Sequence, residues 1–182
     1  MANYCSFTTD ITGEPEKLAE LYKRLGNDGR IGLDDYNKLF DEVADERFDW
    51  GTKWIEYSVS YDEGHDWMSI SGDTAWYPAT GLWQRISEKY EASVDMTYSE
   101  PGGDFAGRTE WSNGEMTFSE ETTYNEHLYY NDNEYFWDNI TNDCVGLELD
   151  ELIDGLGDLY EKFSDNEKQR IAEIHEAENG VD

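Results

Sequence analysis

The order in which hydrophobic side chains repeat along this chain constrains its fold more than any other feature. Residues 4–11 have the composition of a strand that ends before Gly13, and residues 14–25 then place leucines at helical spacing, with Pro15 in the first turn. Asp34 is suited to cap a second helix. The buried stripe of that second helix is expected to be Tyr36, Leu39, Phe40 and Val43. The chain therefore begins with a strand followed by two helices.

A period of two replaces the helical period from Trp54 onward. Residues 55–61 alternate between apolar and polar, residues 62–64 turn the chain, and residues 67–71 return as a second strand. A short helix follows Pro78 and Gly81, and residues 94–98 alternate again. The inward residues of that helix are expected to be Leu82, Trp83, Ile86 and Tyr90. The resulting order, β-α-α-β-β-α-β, predicts an α+β fold, a ferredoxin-like split βαβ sheet with one additional helix.

A β-hairpin with a two-residue turn is predicted to extend this sheet. Asn113-Gly114 lies between two strand-like tetrapeptides, which is the pattern of a type I′ turn. In this register Trp111 pairs with Met116 on one face of the hairpin. The other face is expected to present Glu110, Ser112, Glu115 and Thr117. One face of the hairpin then packs, and the other presents carboxylates.

The end of the chain is predicted to be helical. Residues 120–143 are acidic, aromatic and rich in Asn, and their pattern assigns no element. One helix is expected from Leu147 to Phe163, although Gly155 and Gly157 each weaken it by about 1 kcal/mol relative to Ala. Residues 164–167 form a capping box that starts a last helix. Residues 1–118 are thus expected to form the ferredoxin-like core with its hairpin, and residues 119–182 an acidic aromatic tract and C-terminal helices packed on that core.

The chain carries 43 acidic and 13 basic residues, a formal net charge of −30. A folded chain of this length is about 40 Å across, and duplex DNA of that length carries about 24 charges. Such a charge density disfavours binding to DNA, RNA or an anionic membrane and favours binding to cations or basic proteins. The charge is also uneven, because residues 109–161 contain fifteen acids and no Lys or Arg. This uneven distribution predicts a charged site.

Composition argues against a metal centre, a cofactor site and a membrane segment. Two cysteines far apart and three scattered histidines do not have the spacing of zinc ligands. No stretch approaches the apolar length of a membrane span, and the first residues do not resemble a signal peptide. None of the GxSxG, HExxH, P-loop or GxGxxG motifs occurs. We therefore expect a cytoplasmic protein with reduced thiols, no cofactor, no metal and no enzymatic activity.

One loop contains half of a calcium-binding pattern. If Gly29 is the sixth position of an EF-hand loop, Asp35 falls at the twelfth. The first and third positions are then Arg24 and Gly26, where calcium requires carboxylates. Residues 26–35 are therefore interpreted as a connection between two helices.

The acidic and aromatic tract from Glu110 to Asp138 is the main candidate for a functional site. Alternate side chains on a strand lie about 6.6–6.8 Å apart, a spacing of the order of successive phosphates in one nucleic-acid strand. A row of carboxylates without neutralising neighbours would imitate that strand. The candidate partner-binding residues, which include acids of the helix after Leu147, are Glu110, Glu115, Glu120, Glu121, Glu126, Asp132, Glu134, Asp138, Glu148, Asp150, Glu151 and Asp154. Any exposed ring among Tyr124, Tyr129, Tyr130, Tyr135 and Trp137 is a candidate to stack on arginine.

Four short blocks carry a family resemblance. They are Met1-Ala2-Asn3-Tyr4-Cys5 with Ile11-Thr12-Gly13, then Trp50-Gly51-Thr52-Lys53-Trp54, then Asp73-Thr74-Ala75-Trp76, and then Glu100-Pro101-Gly102 with Phe105-Ala106-Gly107. In this order they resemble the YubB-like, ferredoxin-like domain family of phage and conjugative-plasmid proteins, over about residues 1–118. Phe7 departs from that family, which usually has Asn there. The resemblance implies a ferredoxin-like sheet, a mobile genetic element as the source and a bacterial cytoplasm, and it implies no catalytic residues.

The tryptophans of these blocks, Trp50, Trp54 and Trp76, are interpreted as core and turn positions. Together the observations favour a non-enzymatic acidic inhibitor from a mobile genetic element. It would mimic nucleic acid and block a basic DNA- or RNA-binding host defence protein of the restriction or CRISPR type. Three alternatives stay open: an acidic assembly module for a basic surface that never holds nucleic acid, a salt-adapted domain without a charge-based site, and a metal-binding or hydrolytic protein.

Overall fold

The computed structural model describes residues 3–40 and 50–180, which fold into two compact units. Residues up to Thr122 form a unit built on one antiparallel sheet, and residues from Thr123 form a helical unit. The sheet unit ends four residues beyond the predicted boundary at 118, because its last strand continues to Thr122. That the helical unit packs on the sheet unit stays a prediction.

The strands are β1 (Tyr4–Thr12), β2 (Asp28–Ile31), β3 (Ile55–Ser60), β4 (Trp67–Ala75), β5 (Ser93–Glu100), β6 (Phe105–Ser112) and β7 (Glu115–Thr122). The helices are α1 (Pro15–Leu25), α2 (Leu33–Phe40), α3 (Thr80–Tyr90), α4 (Tyr124–Asn131), α5 (Asn133–Asp143), α6 (Leu149–Leu156), α7 (Asp158–Lys162) and α8 (Asp165–Asn179), with one 3₁₀ turn at Pro101–Gly103.

The centre of the sheet has the predicted ferredoxin-like arrangement. The strand order is β2-β3-β4-β1-β5-β6-β7, and every pairing is antiparallel. The four middle strands, in the order β3-β4-β1-β5, with α1 and α3 as the two connecting helices, form the split βαβ motif. The hairpin of β6 and β7 extends one edge of this motif, and β2 extends the other.

The core of the sheet unit lies between the sheet and its helices. In α1 the buried residues are Leu18, Leu21 and Leu25, the leucines of the predicted stripe. All four residues predicted to point inward from α3 are buried. On β5 the alternating residues Val94, Met96 and Tyr98 are buried in the same cluster. The side chains that periodicity predicts to be buried on the helices and on the strands therefore pack in one hydrophobic layer.

The segment interpreted as a connection between two helices contains a strand instead. Residues 28–31 form β2, which pairs with β3 in the register Asp28 to Ser58 and Ile31 to Ile55. The hydrogen bonds come from a partner more than twenty residues away, so a Gly- and Asp-rich local sequence does not predict them. Since α2 begins at Leu33, Asp34 lies inside this helix and is not its cap. Val43, predicted for the stripe of α2, lies outside the described residues.

The hairpin turn is confirmed, and the strand after it differs from the prediction. Asn113 and Gly114 have φ of +52° and +84°, and Trp111 lies opposite Met116. A β-bulge then shifts the register, so that Phe118 lies opposite Glu110 in place of Thr117. Because β7 is an edge strand, Met116 on the predicted packing face is 56% exposed.

The helical unit has its own hydrophobic core and more helices than predicted. Residues 123–143, which had no assignment, contain α4 and α5. The single helix predicted from Leu147 to Phe163 is wrong, because Gly157 adopts φ of +52° and separates α6 from α7. The capping box at Ser164 and Glu167 is confirmed at the start of α8. The buried residues of this core are Leu128, Phe136, Trp137, Ile140, Cys144, Leu152, Leu156, Leu159, Phe163 and Ile171.

Candidate functional site

One side of the seven-stranded sheet packs in the core of its unit, and within the described residues of that unit no helix covers the other side. Alternate residues of a strand point to opposite faces, so the buried Cys5, Phe7 and Ile11 of β1 face the core. We call the side chains on the other side the open face. From one edge to the other it consists of Asp28 and Arg30 (β2), Glu56, Ser58 and Ser60 (β3), Trp67, Ser69, Ser71 and Asp73 (β4), Tyr4, Ser6, Thr8, Asp10 and Thr12 (β1), Ser93, Asp95, Thr97 and Ser99 (β5), Arg108, Glu110 and Ser112 (β6), and Glu115, Phe118 and Glu120 (β7).

Carboxylates outnumber cations on the open face by eight to two. Both of its arginines are already engaged there: Arg30 Nε lies 3.6 Å from Glu56 Oε1, and Arg108 Nη2 lies 2.7 Å from Asp95 Oδ2. The eight acids are Asp10, Asp28, Glu56, Asp73, Asp95, Glu110, Glu115 and Glu120. The face therefore presents an excess of six negative charges on one side of a rigid sheet.

Arg108 makes three contacts with two carboxylates, one on the neighbouring strand β5 and one on its own strand β6. Its Nε and Nη2 donate to the two oxygens of Asp95 at 2.9 and 2.7 Å, and Nη2 also lies 2.8 Å from Glu110 Oε1. The bidentate bond to Asp95 raises the pKa of Arg108 above its ordinary value. These side chains are between a third and a half exposed, so the network contributes only up to about 1 kcal/mol to stability. Its main effect is to hold Asp95 and Glu110 in fixed positions.

Hydroxyl groups separate the carboxylates along the three central strands. Ser6 Oγ donates to Asp73 Oδ1 at 2.7 Å, and the remaining hydroxyl residues are small and partly or fully exposed. A broad, exposed surface of hydrogen-bonding groups suits a macromolecule better than a small ligand, which needs an enclosed, concave site. The open face is therefore a candidate protein-binding surface.

The predicted site residues of the sheet unit divide between its two sides. Glu110, Glu115 and Glu120 share the open face. Glu121 lies opposite Gly107 and points to the other side, where it accepts a hydrogen bond from Tyr98 Oη at 3.2 Å. Burial, followed by the nearby charge of Glu121, raises the pKa of Tyr98 to about 12.

The predicted site residues of the helical unit do not form a row on a strand, because they lie on α4, α5 and α6 or just before them. Six of the eight are at helix starts, where a carboxylate stabilises the free N–H groups and the positive end of the helix dipole. Asp132 and Glu148 are N-cap residues, and the Asp132 carboxylate accepts from Tyr135 N–H at 3.2 Å. The four in first turns are Glu126, Glu134, Asp150 and Glu151. The other two, Asp138 and Asp154, lie within helices and are exposed.

The prediction that the acids of this tract have no neutralising neighbours is wrong at two positions. Arg108 pairs with Glu110, and Lys162 pairs with Glu126. The bond to Glu126 raises the pKa of Lys162. Both cations lie immediately outside residues 109–161, the stretch without Lys or Arg, and each forms an ion pair with an acid inside that stretch.

Of the five rings named as candidates for stacking on a partner, two are exposed. Tyr130 and Tyr135 are 62% and 48% exposed. Trp137 is buried, and this chain's own Arg170 lies 4.1 Å from the centre of its ring. Tyr124 and Tyr129 pack against the core of the helical unit.

Five acids of the open face were missed by the sequence prediction. They are Asp10, Asp28, Glu56, Asp73 and Asp95. Each lies at a polar position of a strand, so alternation could have placed it on a solvent side. What alternation could not supply is the strand order, which brings residues 10, 95 and 110 side by side on β1, β5 and β6.

Parts of all four quoted sequence blocks lie at one end of the sheet, whereas Ile11-Thr12-Gly13 lies at the other end of β1. Trp54 accepts a hydrogen bond from Ala75 N–H at 3.3 Å, Tyr4 lies opposite Ala75, and Glu100 lies opposite Phe105. As predicted, Trp50 is a core residue, 6% exposed, and Trp76 occupies a turn. We call Tyr4, Trp54, Trp76, Tyr77 and Phe105 the aromatic end.

In the described part of the chain, no three His, Cys, Asp or Glu side chains are grouped closely enough to hold a metal ion. Nor does any helix of residues 3–40 and 50–180 have the length and apolar character needed to cross a bilayer.

Part of the chain, from before β3 into α5, also matches a known family. A family model described as "Ferredoxin-like domain in Api92-like protein" matches residues 41–138, more than half of the chain. The chain belongs to this Api92-like family. The family description and the strand order of the structure both confirm the ferredoxin-like fold.

Among solved structures, the protein Api92 from Yersinia pseudotuberculosis matches this Api92-like chain with 19% sequence identity and a TM-score of 0.33. The match covers 50% of this chain and 29% of that one, so the chain spans under a third of the length of the solved relative. No curated protein matches the sequence.

Proposed function

We propose that this Api92-like protein is a non-enzymatic acidic inhibitor that mimics nucleic acid and occupies the nucleic-acid-binding groove of a basic host protein. The observation that carries the proposal is the open face, on which eight carboxylates accompany two arginines that are both paired within the face. A basic groove that normally binds phosphates would meet carboxylates arranged across the strands, which lie about 4.7–4.9 Å apart, because Asp10, Asp95 and Glu110 are neighbours on β1, β5 and β6 and Glu56 is the neighbour of Asp73.

The same surface supports binding in preference to catalysis. Catalytic groups work in concave sites that exclude water, whereas the open face is broad and its carboxylates are partly or fully exposed. Carboxylates of this kind attract a basic protein at long range and set its orientation, and salt weakens the attraction.

The proposed source of the gene and the proposed target of the protein are based on the resemblance of the four sequence blocks to YubB-like proteins of phages and conjugative plasmids. On this proposal the gene belongs to a mobile genetic element, and the protein acts in the bacterial cytoplasm. Its target is a host defence protein of the restriction or CRISPR type, which binds DNA or RNA. Such a protein has the basic groove that the open face requires.

Two variants of equal charge test the proposal. The first, Asp10→Asn/Glu56→Gln/Asp73→Asn, removes three carboxylates from the open face. The second, Glu16→Gln/Asp62→Asn/Glu63→Gln, removes three exposed carboxylates from α1 and the turn after β3. Immobilised wild-type protein should retain nucleic-acid-binding proteins from a bacterial lysate, and excess duplex DNA or RNA should release them. The open-face variant should lose this capture and the control variant should keep it.

Two outcomes would contradict the proposal. Retention that nucleic acid does not release would point to an acidic assembly module, whose partner surface never holds DNA or RNA. Equal losses in the two variants would show that the partner responds to net charge and not to the open face.

A further inference from the structure

The strand β7 leaves one edge of the sheet unpaired. It is the last strand in the order, and within residues 3–40 and 50–180 no strand pairs with its outer side. Seven of its eight residues, Glu115 to Glu121, are exposed. In an antiparallel ladder, residues alternate between hydrogen-bonded and non-hydrogen-bonded pairs. Alternate residues of β7 therefore turn their N–H and C=O groups away from β6, and an edge of this kind can bind a further strand.

This edge lacks several features that protect the edges of other sheets. Edge strands of soluble proteins are commonly very short, or carry Lys or Pro, or are covered by another element. The opposite edge, β2, is four residues long, whereas β7 has eight residues and no Lys or Pro. The bulge at Thr117 lies near the turn, and beyond it residues 118–122 pair regularly with residues 106–110 of β6. A regular segment of β7 is therefore available for pairing.

The turn before β7 is fixed to α3. Gly114 N–H donates to Ser87 Oγ at 3.0 Å, and Gln84 Nε2 donates to the Gly114 carbonyl at 2.9 Å. A Cβ at Gly114 would lie 2.8 Å from Glu88 Cβ, so the turn packs directly against this helix. A strand that is already ordered loses little conformational freedom when another strand joins it.

Acidic side chains determine which strand can join β7. Glu120 and Glu121 are adjacent and point to opposite faces, and the strand has no basic residue. Arg108 lies opposite Glu120, but its guanidinium is bound to Asp95 and Glu110. Opposite charges on neighbouring strands stabilise a sheet and like charges destabilise it. The edge therefore favours a basic strand and disfavours a second copy of this chain, whose β7 has the same acids.

We propose that β7 binds an extended basic segment of a partner protein, which joins the sheet as an additional antiparallel strand. In that orientation two adjacent basic residues lie opposite Glu121 and Glu120, and an apolar residue lies opposite Phe118, which is 39% exposed. Main-chain hydrogen bonds supply affinity in this mode of recognition, and side chains supply specificity. The inference goes beyond the proposed function, because pairing at the edge requires no nucleic-acid-binding groove.

A heptapeptide tests the edge on the full chain. The acetylated and amidated peptide Thr-Lys-Lys-Thr-Val-Thr-Val carries the bases and the apolar residues in the required order. Its addition should shift the amide signals of β7 in NMR spectra. Alternate amides of β7 should exchange about threefold more slowly once most of the protein has bound the peptide, because they gain hydrogen-bond acceptors.

Two methylated forms of this peptide separate main-chain pairing from attraction by charge. N-methylation of alternate residues removes the donors along one edge of the peptide and leaves the other edge intact. The form methylated on the edge that faces β7 should lose most of its binding, and the form methylated in the other phase should keep it. Sequence and charge are the same in both forms.

Two protein variants of equal charge provide a matched control. Glu120→Gln/Glu121→Gln removes the adjacent acids of the edge, and Asp62→Asn/Glu63→Gln removes two exposed acids from the turn after β3. Gln retains an acceptor for the Tyr98 hydroxyl, so the edge variant should fold. It should bind the heptapeptide about threefold to tenfold more weakly than the control variant does.

Equal binding of the two methylated peptides would overturn the inference, because a contact through charge alone does not distinguish the edges of a strand. Equal affinity of the two protein variants for the heptapeptide would overturn it as well. So would protection of alternate β7 amides that rises with protein concentration in the absence of peptide, because a second copy of this chain would then occupy the edge.

Discussion

Like charges face one another at several points of the open face. Glu56 lies opposite Asp73, and Asp95 lies between Asp10 and Glu110. Carboxylates directly opposite on neighbouring strands destabilise a sheet by up to about 1 kcal/mol per pair. The two arginines are placed beside these acids and reduce the repulsion without removing the excess charge.

Cys5 is a residue on the core side of the same sheet whose environment predicts a measurable pH dependence. Its side chain is fully buried, and burial raises the pKa of the thiol to about 12. In an unfolded chain the pKa of a thiol is about 8.5. The contribution of Cys5 is therefore fully present below that pH and is lost as pH rises toward 12, because the unfolded state releases the proton first.

We expect the free energy of unfolding, measured in urea, to fall between pH 8 and pH 9.5 for the wild-type protein. It should fall less for Cys5→Ala, which has no thiol to ionise at that position. This range lies below the pH at which tyrosines of the unfolded chain ionise, about 10. Rapid modification of Cys5 by a thiol reagent in the native state at pH 8 would contradict the burial on which the expectation depends.

At the scale of elements, the break between α6 and α7 depends on one glycine. Gly157 has φ of +52°, whereas Gly155, two residues earlier, lies inside α6 with open space around its Cα. The same substitution should therefore have opposite effects at the two positions.

Gly157→Ala should lower the free energy of unfolding by about 1–3 kcal/mol, because Gly157 combines φ of +52° with ψ of −134°, a backbone conformation that is strained for residues with a side chain. Gly155→Ala should raise it by about 0.5–1 kcal/mol, because alanine is the better helix former. Urea unfolding at neutral pH measures both. A loss of stability in both variants would show that α6 requires glycine at 155 for a reason other than backbone conformation.

The elements that the sequence predicts well are those whose signal is local. The stripe of α1, the alternation of β5 and the Asn113-Gly114 turn depend on neighbouring residues, and each is confirmed. β2 and the bulge in β7 depend on partners across the sheet, and neither was predicted. α4 and α5 are intermediate cases, since Thr123 and Asp132 are recognisable caps but the residues after them form only a weak apolar stripe.

The candidate site was predictable in part for the same reason. Glu110 and Glu115 follow from the hairpin register alone. Asp10, Asp73 and Asp95 join them only once the strand order is known, because they come from three strands that are far apart in sequence.

At the scale of the whole molecule, the acidic excess has two different physical roles. In the helical unit most of the predicted site acids begin helices, where they stabilise the fold. On the open face the acids oppose one another and gain no such compensation beyond two arginines. The functional charge is therefore better assigned to the open face than to the tract from Glu110 to Asp138 as a whole.

This assignment predicts how stability depends on salt. With a net charge of −30 the folded state is destabilised by self-repulsion, and the repulsion is screened when the Debye length falls from about 30 Å at 0.01 M to about 8 Å at 0.15 M salt. The melting temperature should therefore rise with sodium chloride over this range. The open-face variant Asp10→Asn/Glu56→Gln/Asp73→Asn should melt at a higher temperature at low salt than the control Glu16→Gln/Asp62→Asn/Glu63→Gln, and its melting temperature should rise less when salt is added. The reason is that the variant removes Glu56 and Asp73, which lie opposite each other, and Asp10, which lies opposite Asp95. Identical salt responses in the two variants would mean that the repulsion is spread evenly over the surface. The open face would then not be a distinct electrostatic site.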